Sequence, residues 1–239
     1  MGNKKNKSII EFYTEQRIIH HIILRSGYLT NLGLLRGKMG IVVFFAQLAK
    51  NTEISLYKDI ADELIAEIWE ENLSHLPLGL DSGLSGIGLG IEYLIQQGFM
   101  EGNSLDVCEE LDMKIMEKDP RRITDYSIEN GLEGILHYIL AHIKGCMVKE
   151  YGIPFDGTYL DDLYHTLDKL PQNNPSDKIF HLIALYNDFY RNRKIPAYVF
   201  DLKSFISLLE FEKDKLLTYP IGLNKGLCGF LMKELNIAV

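Results

Sequence analysis

Cysteine is scarce in this chain: Cys108, Cys146 and Cys228 are the three in 239 residues, far apart and without paired spacing. That excludes a disulfide framework and fits a reducing compartment. Positive charge is short as well. Lys and Arg number 25 against 33 Asp and Glu, giving a net charge of −8 and a pI near 5.4, which argues against a nucleic-acid or anionic-membrane surface. The one basic cluster, Lys4, Lys5 and Lys7, falls in a polar leader over 1–8 and reads as a frayed terminus. No apolar run approaches a membrane span, and the stretch 18–24 is too short and too interrupted, by His20 and His21, for a signal peptide. Gly2 follows Met1, but Asn6 stands where myristoylation takes Ser or Thr. β-branched residues do not alternate with polar ones, so strands have little support. The expectation is a cytoplasmic protein of one domain, 1–239, with helical repeats from about residue 9.

What is present in excess is a glycine phrase at a nearly constant interval. It reads Gly33-Leu34-Leu35-Arg36-Gly37-Lys38-Met39-Gly40-Ile41 and Gly79-Leu80-Asp81-Ser82-Gly83-Leu84-Ser85-Gly86-Ile87. It returns as Ser127-Ile128-Glu129-Asn130-Gly131-Leu132-Glu133-Gly134-Ile135 and Gly222-Leu223-Asn224-Lys225-Gly226-Leu227-Cys228-Gly229-Phe230. The middle glycines, 37, 83, 131 and 226, are 46, 48 and 95 residues apart, and the last step is close to two periods. A fixed period of this size marks a repeat architecture. A degenerate unit without glycine fits at 176–184, after a loop over 171–175. Eleven of the chain's 20 glycines lie in the four phrases, so their use is positional.

Each phrase leads into a segment apolar on most faces, such as 41–49, 87–94 and 135–141, which predicts buried helices. Between them lie amphipathic segments over 57–70, 103–117, 158–170 and 198–213, whose apolar residues follow the helical period. Buried and half-exposed helices in alternation describe two concentric rings. Inner helices are expected to start near 37, 83, 131, 178 and 226, with the first helix, about 9–25, in the outer ring. The fold class is all-α: an α/α toroid of about five helix pairs, or an arc of one. An open arc exposes apolar edges, which a second copy or another partner would cover.

The repeated Gly-Leu-x-x-Gly-x-x-Gly-Ile phrase, opening the inner helices of an α/α toroid, resembles the lanthionine synthetase C-like (LanC-like) family from Gly33 to Gly229. The resemblance implies a single zinc at the toroid mouth, held by two cysteines and a histidine. The metal would keep a peptide cysteine as thiolate for addition to a dehydrated serine or threonine. It also implies seven inner helices, where five are counted here. The family's Cys-His pair fills two places in a late phrase that here hold Asn224 and Lys225, and Cys228 lies three residues beyond Lys225. The degenerate unit lacks the other cysteine. No cofactor is therefore expected: the zinc implied by the family finds no ligand set.

The residues expected around a shared mouth are Arg36, Asp81, Ser82, Glu129, Asn130, Asn224, Lys225 and Cys228. Asp81 and Glu129 occupy corresponding places in adjacent repeats. They read as acidic residues stabilising helix starts, with paired carboxylates for general acid and base as the alternative. His137, one turn into an inner helix, reads as a core histidine or a base. Cys228 reads as a small packing residue. The function expected is a LanC-like protein that binds a peptide or protein in a modified-peptide pathway without cyclising it. Alternatives are an enzyme using the rim carboxylates Asp81 and Glu129 on a sugar or other small substrate, and a divergent thioether-forming cyclase.

Overall fold

The first free amides of a helix need acceptors, and here the glycine phrases supply them from the main chain. In a computed structural model describing residues 9–170, 177–207 and 209–237, α2 (Lys38–Thr52), α4 (Leu84–Gln96), α7 (Leu132–Val148) and α10 (Leu227–Glu234) each begin just after a middle glycine and have no side-chain cap. Their first N–H groups donate to carbonyls seven residues back: Lys38 to Asn31 (2.8 Å), Leu84 to Pro77, Leu132 to Asp125 and Leu227 to Pro220 (2.9 Å each). That fold-back leaves no room for a side chain at the helix start. A Cβ on Gly83 would overlap the Pro77 carbonyl, and one on Gly131 the Asp125 carbonyl.

The other elements are α1 (Ile9–Ser26), α3 (Ser55–Glu70), α5 (Ser104–Val107), α6 (Glu109–Met116), α8 (Gly157–Asp168) and α9 (Asp177–Asn192). Short 3-10 turns lie at Leu73–His75, Pro120–Arg122, Leu202–Phe205 and Lys213–Thr218, and no strand occurs among the described residues. The chain is all-α. Its phrase helices pack in the order α10–α2–α4–α7, and α9 continues the row beside α7. A second set lies over them: α1 on α10, α3 along α2, α6 on α4, α5 on α7 and α8 on α9. Residues 38–48 of α2 and 84–94 of α4 are buried without a break, as expected for helices with neighbours on every side. α9 differs: Ile179, Leu182, Tyr186 and Phe189 are buried on one stripe while His181, Ala184 and Asp188 face water.

The first glycine of each phrase explains the row. A Cβ on Gly33 would enter the Asp81–Ser82 peptide, one on Gly79 the Glu129–Asn130 backbone, and one on Gly222 the backbone of Arg36. Each phrase therefore docks on the next, in the order 222–230, 33–41, 79–87, 127–135. Main-chain bonds stitch the contacts: Asn224 N–H to Leu35 O (2.8 Å), Leu34 N–H to Leu80 O (2.9 Å) and Asp81 N–H to Glu129 O (2.9 Å). The third phrase has Ser127 in this place and ends the row, because the repeat after it has lost its phrase.

One expected element is corrected. The segment 198–213 is not an amphipathic helix: residues 194–201 form an extended strap, followed by the 3-10 turn Leu202–Phe205. Pro196 has no N–H to donate to a helix. Burial then alternates, with Pro196 and Tyr198 inside and Ala197 and Val199 outside. The helical spacing of Leu202, Phe205 and Ile206 is met instead by the turn, which buries all three. The strap lies against α4 through Phe200 and Tyr93, whose rings sit 5.6 Å apart. It meets α7 where Lys144 Nζ donates to Tyr198 O (2.6 Å), and α10 where Lys233 Nζ donates to Ile206 O (2.9 Å). The leader 1–8 and the loop 171–175 fall outside the described residues.

Candidate functional site

Two groups of side chains carry chemistry. The first is the end of the molecule where the phrases meet. Arg36 makes a two-pronged contact with Asp81, Nε to Oδ1 at 2.6 Å and a terminal nitrogen to Oδ2 at 2.7 Å. Both Asp81 oxygens are thereby engaged, and the carboxylate raises the guanidinium pKa further, chiefly through that hydrogen bond. Arg36 is half in water, with a side-chain exposure of 53%, so the pair contributes about 1 kcal/mol at most. Glu129 and Ser82 are half-buried and Asn130 is exposed. The Glu129 backbone carbonyl accepts from Asp81, so these predicted residues do adjoin. Asn224 joins the same row, its Oδ1 accepting from Ser207 N–H at 3.3 Å. Lys225 is exposed with φ at +51°.

An amide and an ammonium thus occupy the places where the resemblance implies a Cys-His pair. Cys228 is fully buried, and burial pushes its thiol well above the usual range. These residues do not fit a zinc held by two thiolates and an imidazole, which needs deprotonated ligands around one point.

The second group escaped sequence reasoning and lies in the core between α4, α6 and α7. His142 is completely buried, with Nδ1 2.5 Å from Glu92 Oε1 and Nε2 2.8 Å from Asp112 Oδ2. Tyr138 stacks on the imidazole, 5.3 Å between centroids, and its hydroxyl donates to Asp112 Oδ1 at 2.6 Å. Gln96 Nε2 donates to Glu92 Oε2 at 2.8 Å. On the Nδ1 side Cys146 Sγ lies 3.6 Å away, with Ser104 Oγ 3.5 Å from the sulfur. Glycines make the space. A Cβ at Gly88 would strike the Tyr138 ring, and one at Gly145 the Glu92 carboxylate.

The electrostatics follow from burial and pairing. Burial lifts the Asp112 carboxyl above its ordinary range, against the pull of its bonds to His142 and Tyr138. For His142 burial acts downward, but Asp112, Cys146 and Glu92 outweigh it and hold the ring up to about 12. Burial also pushes the nearby Cys108 thiol up to about 12. The constellation contains a thiol, an imidazole and a carboxylate in sequence, as a nucleophilic triad does. Glu92, Asp112, His142 and Cys146 are at most 2% exposed, however, so no substrate reaches them in this conformation. Glu92, His142 and Cys146 place possible metal-ligand atoms within 4.8 Å of one another. The legible signal was the spacing of His142 and Cys146, one helical turn apart on α7. Glu92, inside an apolar run, was a second.

His137 lies elsewhere on α7. Its Nδ1 is 2.7 Å from Tyr198 Oη, and its ring packs edge-on to Phe205. With Lys178, His181 and Leu182 of α9 it borders a small cavity of about 320 Å³ under the strap. Burial first, then the charge of Lys178, lowers its pKa to about 4 from an unfolded value of 6.5. Between these values the unfolded chain binds the extra proton, so stability is lost as pH falls from about 6.5 towards 4. The loss attributable to His137 is about 2 kcal/mol, allowing for its partial contact with water. Urea midpoints at pH 7 and pH 4.5 check this, since the fall should be smaller in His137→Phe.

An open groove of about 900 Å³ lies at the opposite end of α2 from its phrase. Val42, Ala46 and Ala49 of α2, Ile65 of α3, Leu94 of α4 and Phe99 line it. Lys50 Nζ stands 5.3 Å over the Phe99 ring at its edge. Among the described residues no helix is long and apolar enough to cross a membrane. Compared with protein-family models, curated proteins and solved structures, the chain matches none of them.

Proposed function

We propose that this chain is a short LanC-like α/α toroid, of five inner helices, that binds peptides and does not form thioethers. The reading of the fold is supported by the repeated fold-back of each phrase onto its helix start and by the docking of successive phrases. The strap 194–201 and the turn after it would cover the concave side of the arc, where a substrate would otherwise enter. Asn224 and Lys225 supply no metal-bound thiolate to activate a peptide cysteine.

The single observation that carries the binding reading is the groove between α2, α3 and the turn after α4. Its volume of about 900 Å³ and apolar floor suit an apolar anchor or one face of a short helix. Lys50, Lys58 and Asp62 around it would orient the polar side of such a segment. Peptides selected from a displayed library on the purified chain should compete with one another for one site. Ala49→Glu, which places a charge on the groove floor, should weaken them about tenfold or more. Failure to enrich any peptide, or enriched peptides indifferent to Ala49→Glu, would contradict this assignment. Incubation with a peptide bearing one cysteine and one dehydroalanine should leave its thiol free to alkylation.

A further inference from the structure

The core cluster on α7 is not used by the peptide-binding reading, and it has the composition of a metal centre. The geometry points to a divalent zinc site with Glu92, His142 and Cys146 as protein ligands, well inside the helix packing and separate from the phrase end. The first reason is the placing of His142. Carboxylates face both of its nitrogens, at 2.5 and 2.8 Å, so in metal-free protein the ring carries a proton on each, and the proton between Nδ1 and Glu92 stands where a cation could replace it. A cation on the Nδ1 side satisfies that nitrogen as an acceptor and leaves Nε2–H for Asp112. The arrangement of carboxylate, imidazole and metal is the usual support for a metal-bound histidine. Asp112 is itself fixed by the Tyr138 hydroxyl at 2.6 Å.

The second reason is ligand chemistry and spacing. Glu92 and Cys146 supply the two negative charges that balance a divalent ion, and a thiolate, imidazole and carboxylate set favours zinc over magnesium or calcium. Ligand atoms at zinc distances stand about 3.3–3.7 Å apart in a tetrahedron. Sγ and Nδ1 are already 3.6 Å apart. Glu92 Oε1 must draw back from Nδ1 by somewhat less than about 1 Å on the same geometry, while Gln96 steadies its other oxygen. Ser104 Oγ, 3.5 Å from the sulfur, is placed to donate to the thiolate or to take the fourth position. The enclosure of the cluster makes this a structural ion acquired during folding.

The full chain is isolated from cells grown with added zinc, dialysed against chelator and analysed for metal. The same chain from cobalt-grown cells is examined for the thiolate-to-cobalt charge-transfer band. One zinc per chain and a charge-transfer band are expected. Both are lost in Cys146→Ser and both are kept in Cys108→Ser and Cys228→Ser. Asp112→Asn should weaken metal retention about 10–100-fold. Wild-type protein without stoichiometric zinc and without the band overturns the proposal, as does a band that survives Cys146→Ser. If Cys146→Ser does not fold, Glu92→Gln decides: unchanged retention of zinc overturns the site, and loss of about tenfold or more supports it.

Discussion

In metal-free protein, His142→Leu should lower stability by about 3–5 kcal/mol, because it leaves two carboxylates buried without the group that both contact. Glu92 and Asp112 are 1% and 2% exposed, and water cannot replace the imidazole for either. A chain of this size is stable by only about 5–15 kcal/mol, and each kcal/mol moves the melting temperature by about 2–4 °C. The melting temperature should therefore fall by roughly 10 °C. The triple variant Glu92→Leu, Asp112→Leu, His142→Leu should recover most of this loss, since an apolar replacement removes the desolvation cost along with the attraction. Calorimetry on the wild type and both variants checks the account. A single variant as stable as the wild type would mean that the buried charges are not paired as described.

Gly33→Ala should cost about 3 kcal/mol or more, while Ser127→Ala, at the equivalent place in the third phrase, should change stability by less than about 1 kcal/mol. The same methyl group meets different surroundings. At position 33 it enters the Asp81–Ser82 peptide, which is main chain and cannot rotate aside as a side chain would. To accommodate it, the first two phrases must separate, with loss of the Leu34-to-Leu80 hydrogen bond. At position 127 no main-chain bond from a later repeat reaches the phrase among the described residues, and substitution removes a half-buried hydroxyl bonded to Asn130 N–H at 3.2 Å. Denaturant midpoints of the two variants give the contrast. Equal costs at the two positions would contradict the proposed packing order.

Local physics was legible where the repeat imposed it. Helices expected near 37, 83, 131, 178 and 226 begin at Lys38, Leu84, Leu132, Asp177 and Leu227. The four starts that follow a glycine phrase are fixed by a main-chain fold-back onto a carbonyl seven residues earlier, so a short window of sequence contains the cause. The strap was misread because the spacing of Leu202, Phe205 and Ile206 suits one face of either an α-helix or a 3-10 turn. Pro196 and the alternating burial of 196–199 decide for an extended chain, and burial is set by α4, α7 and α10 rather than by neighbours in sequence. For the core cluster the difficulty was distance along the chain. His142 meets partners 50 and 30 residues away, on α4 and α6. Asp112 looked like the polar face of an amphipathic helix, and Glu92 like an interruption in an apolar one.

The arrangement of the predicted mouth residues was legible as adjacency, although not as chemistry. Arg36, Asp81, Glu129 and Asn224 do share one end because their phrases dock on one another. What the repeat could not specify is that both Asp81 oxygens are occupied by Arg36, which depends on two side chains 45 residues apart. Cys228 follows the packing expectation through its burial beside Gly229, where Ile206 of the turn closes over the helix.

Native-state hydrogen exchange at Leu34, Asp81 and Asn224 tests most directly whether the four phrases are stitched into one row. All three amides lie outside helices, where loop protons ordinarily exchange fast. Here each donates to the next phrase at 2.8–2.9 Å, so they should exchange as slowly as amides of the buried helices α2 and α4. Exchange at the rate of an open loop at any of the three would contradict the row.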